Sequence, residues 1–406
     1  MMVGRQPRRG SWAVFLVLSA GVFLGLFALA FNQAHLWHTR DELRLGGDAA
    51  GLAATALLAD DEFLANDPVL VPPILDRSRL AALDFAAFHL VRSRPLDISH
   101  DGDIRFGVLS TPRGGQLTLL NFAGPIDPSL LLQVNTVVVT AGHTADRQNS
   151  VGLAFGHITG IGQMDVEVVS TVTLDRELRG FRPLPEQNVP LAPLALFSDP
   201  AGLDAKSWQF AVEQGNGNDA FRFDRNLGEF MAGSDGLREF RALIATDAGQ
   251  LAQANTALLH FGSTSVPVLA DQLVDGLDAV DLAALGGQVL LNAAGEVLVA
   301  GTQQGPAEGS ADLDELLDAL EALEESAEVR AWPLYSQVDT AAGTVQVTGF
   351  VAARVVRVQL LGPGQPVEVI LQPARLATAT AVTAFDLRLT GIVANNAYVG
   401  KVRIVE

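Results

Sequence analysis

The chain reads as an α+β protein in which a long N-terminal transmembrane helix is followed by a β-rich extracytoplasmic body with a few helices. Three observations predict this. Residues 11–31 form an apolar run without a charge. The helical pattern continues past that run, with no proline, to residue 58. From residue 104 onward, short Val- and Thr-rich runs alternate with Gly, Pro and Asn, the pattern of strands and turns.

Composition bounds the rest. The 406 residues leave room for two or three domains. Hydrophobic residues make up 49% and aromatics only 6%, so the core is expected to be aliphatic. The chain has no cysteine, which excludes disulfides, Cys-ligated zinc and thiol catalysis. The formal net charge is −19, and the acidic body does not attract nucleic-acid phosphates or anionic head groups, so nucleic acid is not an expected partner.

Residues 1–10 carry Arg5, Arg8 and Arg9 and no acid. A helix needs about 20 apolar residues to cross a bilayer, and Ser11–Phe31 supplies them. After the run, Arg40 and Arg44 are balanced by Asp41 and Glu42. The excess of arginine before the run places the N-terminus in the cytoplasm and the body outside, in the periplasm or at the cell surface. The competing reading is a secretory signal cleaved near Ala28-Leu29-Ala30, but the apolar run is longer than the core of such a signal. Gly21 and Gly25 form a GxxxG pair, which lets two membrane helices approach closely and makes homo-oligomerisation through this helix an expectation. Beyond the run, Leu36, Leu43, Ala50 and Leu57 recur at seven-residue spacing, widened by Ala53 and Ala54. Residues 11–58 then make a rod of about 70 Å, which Gly46-Gly47 is expected to weaken or bend.

Arg8-Arg9-Gly10-Ser11, the apolar run, Arg40-x-x-Leu43 and Asp48-Ala49-Ala50-Gly51-Leu52-Ala53-Ala54 together resemble the N-terminal module of TadG-like Tad/Flp pilus-assembly proteins. The family-motif positions are Gly10, Arg40, Leu43, Asp48, Ala49 and Ala50. The resemblance implies a pilin-like anchor whose partners are other Tad/Flp pilus or pseudopilin-like membrane proteins. Phe15 stands where processed type IV prepilins carry Glu, so cleavage after Gly10 is not implied.

Residues 59–180 are expected to form an α+β module. Residues 59–75 read as an exit loop, and Asp76–Ser93 as a helix with Leu80, Leu83, Phe88 and Val91 near one face. Gly107–Leu109, Gln116–Leu120, Val134–Thr140, Val151–Phe155 and the alternating Met164–Val172 read as strands. Residues 181–262 read as a loop-rich connection. Its oxygen-rich turns make Asp219, Asp224, Asn226 and Asp235 the residues that would hold Ca²⁺, but no segment fits an EF-hand and solvated turns account for them.

Residues 263–406 are expected to form a second α+β module ending in strands. Val266–Leu285 reads as a helix, and Val289–Leu291 with Val297–Ala300 as a hairpin. Ala311–Ser326 is an acidic helix with Leu313, Leu316, Leu317, Leu320 and Leu323 on one face. Thr344–Gly349, Phe350–Leu361, Val367–Gln372, Phe385–Thr390 and Val399–Val405 read as strands. The segments around Asn255–Phe261, Pro333–Tyr335 and Val347–Val356 also resemble the C-terminal half of large TadG-like proteins.

The seven histidines form no HExxH, and neither GxSxG nor a Walker A sequence occurs. His100, Asp101 and Asp103 are the one short cluster of metal-ligand types, and a turn explains it equally well. The expectation is therefore a non-enzymatic envelope protein without a cofactor. The alternative is a membrane-tethered enzyme or ligand-binding domain whose anchor has no role beyond attachment.

Overall fold

The computed structural model describes residues 11–389 and 393–405. Gly10 and the three leading arginines lie outside the described residues. One α-helix of 46 residues, α1, runs over Ser11–Ala56. Its first half is exposed on nearly every side, with Trp12, Phe15, Val17, Phe23 and Leu29 open to the surroundings. From Ala28 onward one face sinks into the body, burying Ala28, Asn32, Thr39, Leu43, Ala50 and Ala54, followed by Leu58 just past the helix end.

That stripe departs from the seven-residue pattern in the sequence. Leu36 is only half-buried, and Leu57 is exposed while Leu58 takes the inward position. A straight helix laid on a sheet keeps its 3.6-residue rhythm, so a strict heptad drifts off the contact line. The two glycines also behave differently from expectation: α1 runs through Gly46 and Gly47 as one helix, and both are buried. A Cβ at Gly46 would lie 2.7 Å from Leu96 Cδ2, one at Gly47 3.0 Å from Ser170 Oγ, and one at Gly51 2.6 Å from Val172 Cγ2. The glycines let the helix backbone approach the body where any side chain would hold it off, a benefit that outweighs their lower helix propensity of about 1 kcal/mol each.

A three-ten turn over Asp61–Ala65 follows, and then helix α2, Val71–Phe88, which starts several residues earlier than the sequence pattern because Pro72 and Pro73 occupy its first turn. Next come β1 (Ile104–Leu109), β2 (Leu117–Leu119), β3 (Thr136–His143) and β4 (Val166–Asp175). The expected strand at Val151–Phe155 is reduced to a two-residue pairing, Val151–Gly152 with Gln163–Met164, which closes a loop.

The second region contains β5 (Leu194–Phe197), β6 (Phe240–Ile244), β7 (Thr256–Leu259), helix α3 (Val266–Asp275), β8 (Val297–Thr302) and helix α4 (Ala311–Ser326). It continues through β9 (Arg330–Asp339), β10 (Thr344–Leu360), β11 (Val367–Pro373) and β12 (Leu376–Ala377), and the chain ends in β13 (Val399–Val405). Helix α3 stops at Gly276, whose φ of 79° ends the helix short of the expected Leu285. Arg330 seals that end by donating from Nε to Leu273 O at 3.0 Å and from Nη2 to Val274 O.

Two sheets result. The first has the order β12-β13-β4-β3-β1-β2. Its outer partner for β4 is the last strand of the chain, with Val402 opposite Leu174 and Ile404 opposite Val172. Helices α1 and α2 pack beside each other on this sheet, and the core between them includes Leu43, Ile74, Leu75, Phe106, Val137 and Val139. The second sheet has the order β6-β11-β10-β8-β7-β5-β9, and β9 also pairs with β10. The strands β10, β8, β7, β5 and β9 therefore close into a ring. Only the β5–β9 pairing in it is parallel. Strand β10 is long enough to serve the ring and also, from Ala353 to Leu360, to pair with β11 outside it, with a register shift inside that pairing between Val355 and Arg357.

Trp208, Trp332, Phe181, Phe240 and Phe261 are buried in the second core. Helix α4 turns Leu313, Leu316, Leu320 and Leu323 into that core, while Leu317 sits at its margin. The expected hairpin at 289–300 does not form. Val289–Leu290 pairs with Leu178–Phe181, whereas β8 joins the ring. Phe385–Arg388 forms turns rather than a strand.

Candidate functional site

Of the motif positions among the described residues, Leu43, Asp48, Ala49 and Ala50 lie along the seam between α1 and the first sheet. Leu43 and Ala50 are fully buried there, Ala49 is half-buried and Arg40 is exposed. The Asp48 carboxylate accepts a hydrogen bond from Ser170 Oγ of β4 at 2.6 Å, and Arg44 Nε lies 3.9 Å from it. Two turns further on, Thr55 Oγ1 donates to Val172 O at 3.3 Å. With Gly47 giving close approach beside the first bond and Gly51 between the two, the acid and the small residues act together to dock the rod on β4.

The seam ends at a carboxylate pair that the sequence pattern presents only as an exit loop. Asp60 and Asp61 are both buried, at 5% and 6% exposure. Asp60 accepts from the Glu62 amide at 2.9 Å and from Arg77 Nη2 of α2 at 2.7 Å. It also accepts a two-pronged contact from Arg225. Asp61 accepts from Arg354 of β10 and, at 2.5 Å, from the backbone amide of Arg375. Arg354 lies 4.3 Å from the centre of the Phe223 ring, and Arg375 lies 4.6 Å from that of Phe63. Two adjacent carboxylates thus tie the end of α1 to α2, to the hairpin of strands Phe221–Asp224 and Glu229–Ala232, and to the second sheet.

Burial raises the Asp60 carboxyl, but Arg225, the Glu62 amide and Arg77 outweigh it and hold the group below the ordinary carboxylate range. Burial, then the neighbouring Arg176 charge, pushes Arg375 down, while Asp61 and Asp60 favour its charged form. A guanidinium remains charged at neutral pH, so the cluster is a set of paired ions.

Beside the cluster opens a cavity of about 510 Å³ lined by Phe63, Glu213, Arg238, Arg375 and Tyr398, among others. Burial raises the Glu213 carboxyl despite its hydrogen bond with Tyr398. Tyr398 in turn accepts from Trp208 Nε1 at 3.1 Å.

Three of the four residues singled out for Ca²⁺, Asp219, Asp224 and Asp235, accept from backbone amides, and the fourth, Asn226, donates its own amide to Asp224. Asp219 accepts from Ser234 Oγ at 2.6 Å and from the amides of Asp235 and Gly236 at 3.0 and 3.2 Å. Asp224 accepts from the Asn226 and Leu227 amides, and Asp235 from the Leu237 amide. Among the described residues no group of three or more His, Asp or Glu converges in a way that would hold a metal ion. In the His100 cluster, Asp101 bonds the His100 ring at 2.6 Å, whereas Asp103 turns to the Ser99 amide and to Arg147. Gly21 and Gly25 stand with nothing within 4 Å of where a Cβ would be, so the body leaves the helix open at these two positions, although it covers the same face further along, at Ala28 and Asn32. No family model, no curated protein and no solved structure matches the chain.

Proposed function

We propose that this chain is a membrane-anchored, non-enzymatic envelope protein of the TadG-like Tad/Flp pilus-assembly type. In this reading its N-terminus is cytoplasmic, its body is extracytoplasmic, and it acts by packing its membrane helix and body against other pilus or secretion-system components. One observation carries the reading: a single helix, α1, is both the exposed apolar rod and a structural member of the body's core. Displacement of the span by a partner helix is thereby transmitted to the body without an intervening linker. The open positions at Gly21 and Gly25 support helix packing in the membrane, since small residues allow backbones to approach where lipid offers no hydrophobic driving force. The docking of Leu43, Asp48 and Ala50 on the first sheet gives a physical reason for that motif in such an anchor.

The test compares the full-length protein with a form lacking residues 1–35 in cross-linking of bacterial membranes. The truncated form keeps Leu43, Gly47, Asp48 and Ala50, so the seam remains. Loss of the full-length protein's cross-linked partners on truncation is expected, and retention of all of them would remove the basis of the reading.

A second reading, a tethered ligand-binding domain, draws on the cavity beside Glu213 and Arg238. A small organic anion that raises the melting temperature of the wild type but not of Arg238→Ala would favour it.

A further inference from the structure

The loop between β3 and β4 reaches back along α1 toward the membrane. Phe155 packs edge-on against Phe27 and Phe31, with ring centres 5.8 and 5.4 Å apart, and its amide donates to Asn32 Oδ1 at 3.2 Å. Phe27 and Phe31 belong to the apolar run, and Phe27 lies about 6 Å inside its end at 1.5 Å per residue. We propose that residues 151–164 form a second membrane-contact element, a loop that enters the lipid interface beside the span and fixes how the body stands on the bilayer.

The chemistry of the loop fits a lipid surface. Residues 151–164 contain no charged Asp, Glu, Lys or Arg. Ile158, Ile161 and Met164 are 57%, 54% and 49% exposed, an apolar tip with no protein partner within the chain to cover it. Backbone groups entering an interface need internal partners, and this loop supplies several. The Leu153 amide donates to Gly162 O at 3.0 Å, the Ile158 amide to Phe155 O at 3.0 Å and the Gly160 amide to Gly156 O at 2.8 Å. Gly160, at φ 78°, makes the left-handed turn that closes the tip. Trp37 is exposed on the first helical turns beyond the run, at the level where amphipathic aromatic rings gather at a membrane surface. An insertion depth of about 5–10 Å is the range for interfacial apolar elements, and the loop's position against Phe27 matches it.

This inference rests on α1 spanning the bilayer, and the experiment separates the two. The absence of cysteine allows single environment-sensitive labels on Cys introduced in the full-length protein, reconstituted in phosphatidylcholine vesicles. The positions are Leu24 in the run, Leu29 near its end, Ile158 and Ile161 in the loop, and Leu203, exposed in the second region. Lipids carrying a nitroxide near the head group are expected to quench Ile158 and Ile161 as strongly as Leu29. Lipids carrying it deep in the acyl chain should quench Leu24, and neither should quench Leu203. If Leu24 and Leu29 are quenched while Ile158 and Ile161 respond to aqueous iodide alone, the loop is not in lipid and the inference falls while the span stands. If the loop labels are shielded from both lipid and iodide, a protein covers the tip and the inference also falls. If Leu24 is not quenched, the span reading itself fails.

Discussion

Replacing Asp61 by Asn would leave the Arg354 guanidinium without its carboxylate and weaken the acceptor for the Arg375 amide. The Arg354 side chain is only 14% exposed, so it does not recover its hydration when the partner is lost. Removing one member of a buried pair typically costs about 3–5 kcal/mol. Asp61→Asn is expected to lower stability by an amount in that range, measured by urea unfolding of the detergent-solubilised protein. A change below about 1 kcal/mol, the size of a surface pair, would show that the pair is solvated.

Asp60 supplies a pH dependence of known sign. Its carboxyl is held below the ordinary range in the folded protein, so the unfolded chain takes up its proton first. Its stabilising contribution is complete above the unfolded value of about 3.9 and is lost as pH falls through the lower folded value. Glu213, raised by burial, works in the opposite direction and favours the folded state as pH falls toward its unfolded value. The wild type should therefore lose more stability than Asp60→Asn between about pH 4 and pH 2 in thermal melts. Parallel losses in the two proteins would contradict the role assigned to Asp60. None of this was legible in the sequence, where Asp60-Asp61-Glu62 has the look of a solvated acidic loop; the partners Arg225, Arg354 and Arg375 lie far along the chain.

Helix α1 was legible in outline and misread in detail. Its apolar run, its length and its continuation past that run follow from composition and period alone. What the sequence pattern could not convey is the reason for Gly46, Gly47 and Gly51, because the groups they make room for, Leu96, Ser170 and Val172, belong to other elements. Gly51→Val would place branched atoms into the Val172 side chain, and overpacking of this kind costs about 1–3 kcal/mol. Urea unfolding should show that loss for Gly51→Val and none for Gly21→Leu, whose site is open. Equal effects at the two positions would mean that α1 does not dock on β4 as described. Helix α4 was the most legible element: its Leu313, Leu316, Leu320 and Leu323 stripe is the buried face. The 289–300 hairpin was misread because a short Gly-containing connection between two apolar runs fits a hairpin locally, while pairing with Leu178–Phe181 and with β10 decides the outcome.

The α+β class followed from local pattern, but the ring and the order of the first sheet did not. The β13 strand was legible as a strand, yet its partner β4 is more than two hundred residues earlier. The chain's two cores are thereby joined by its ends: β13 completes the sheet on which α1 lies. Deleting residues 396–406 would expose the edge of β4 and remove the Val402 and Ile404 pairings, so the whole first sheet should become protease-sensitive. Limited proteolysis that cuts only within the second region of such a truncated protein would contradict this linkage.

In the proposed function, the span's small-residue positions pack against other membrane helices while the rest of α1 is fixed in the body. Single cysteines at Gly21, Gly25, Leu16 and Phe23, oxidised or cross-linked in native membranes, test it most directly because the chain has no cysteine of its own. The account predicts cross-linked species from positions 21 and 25, which share one helix face, and little from positions 16 and 23 on the opposite face. Uniform cross-linking at all four positions, or none at any, would contradict it.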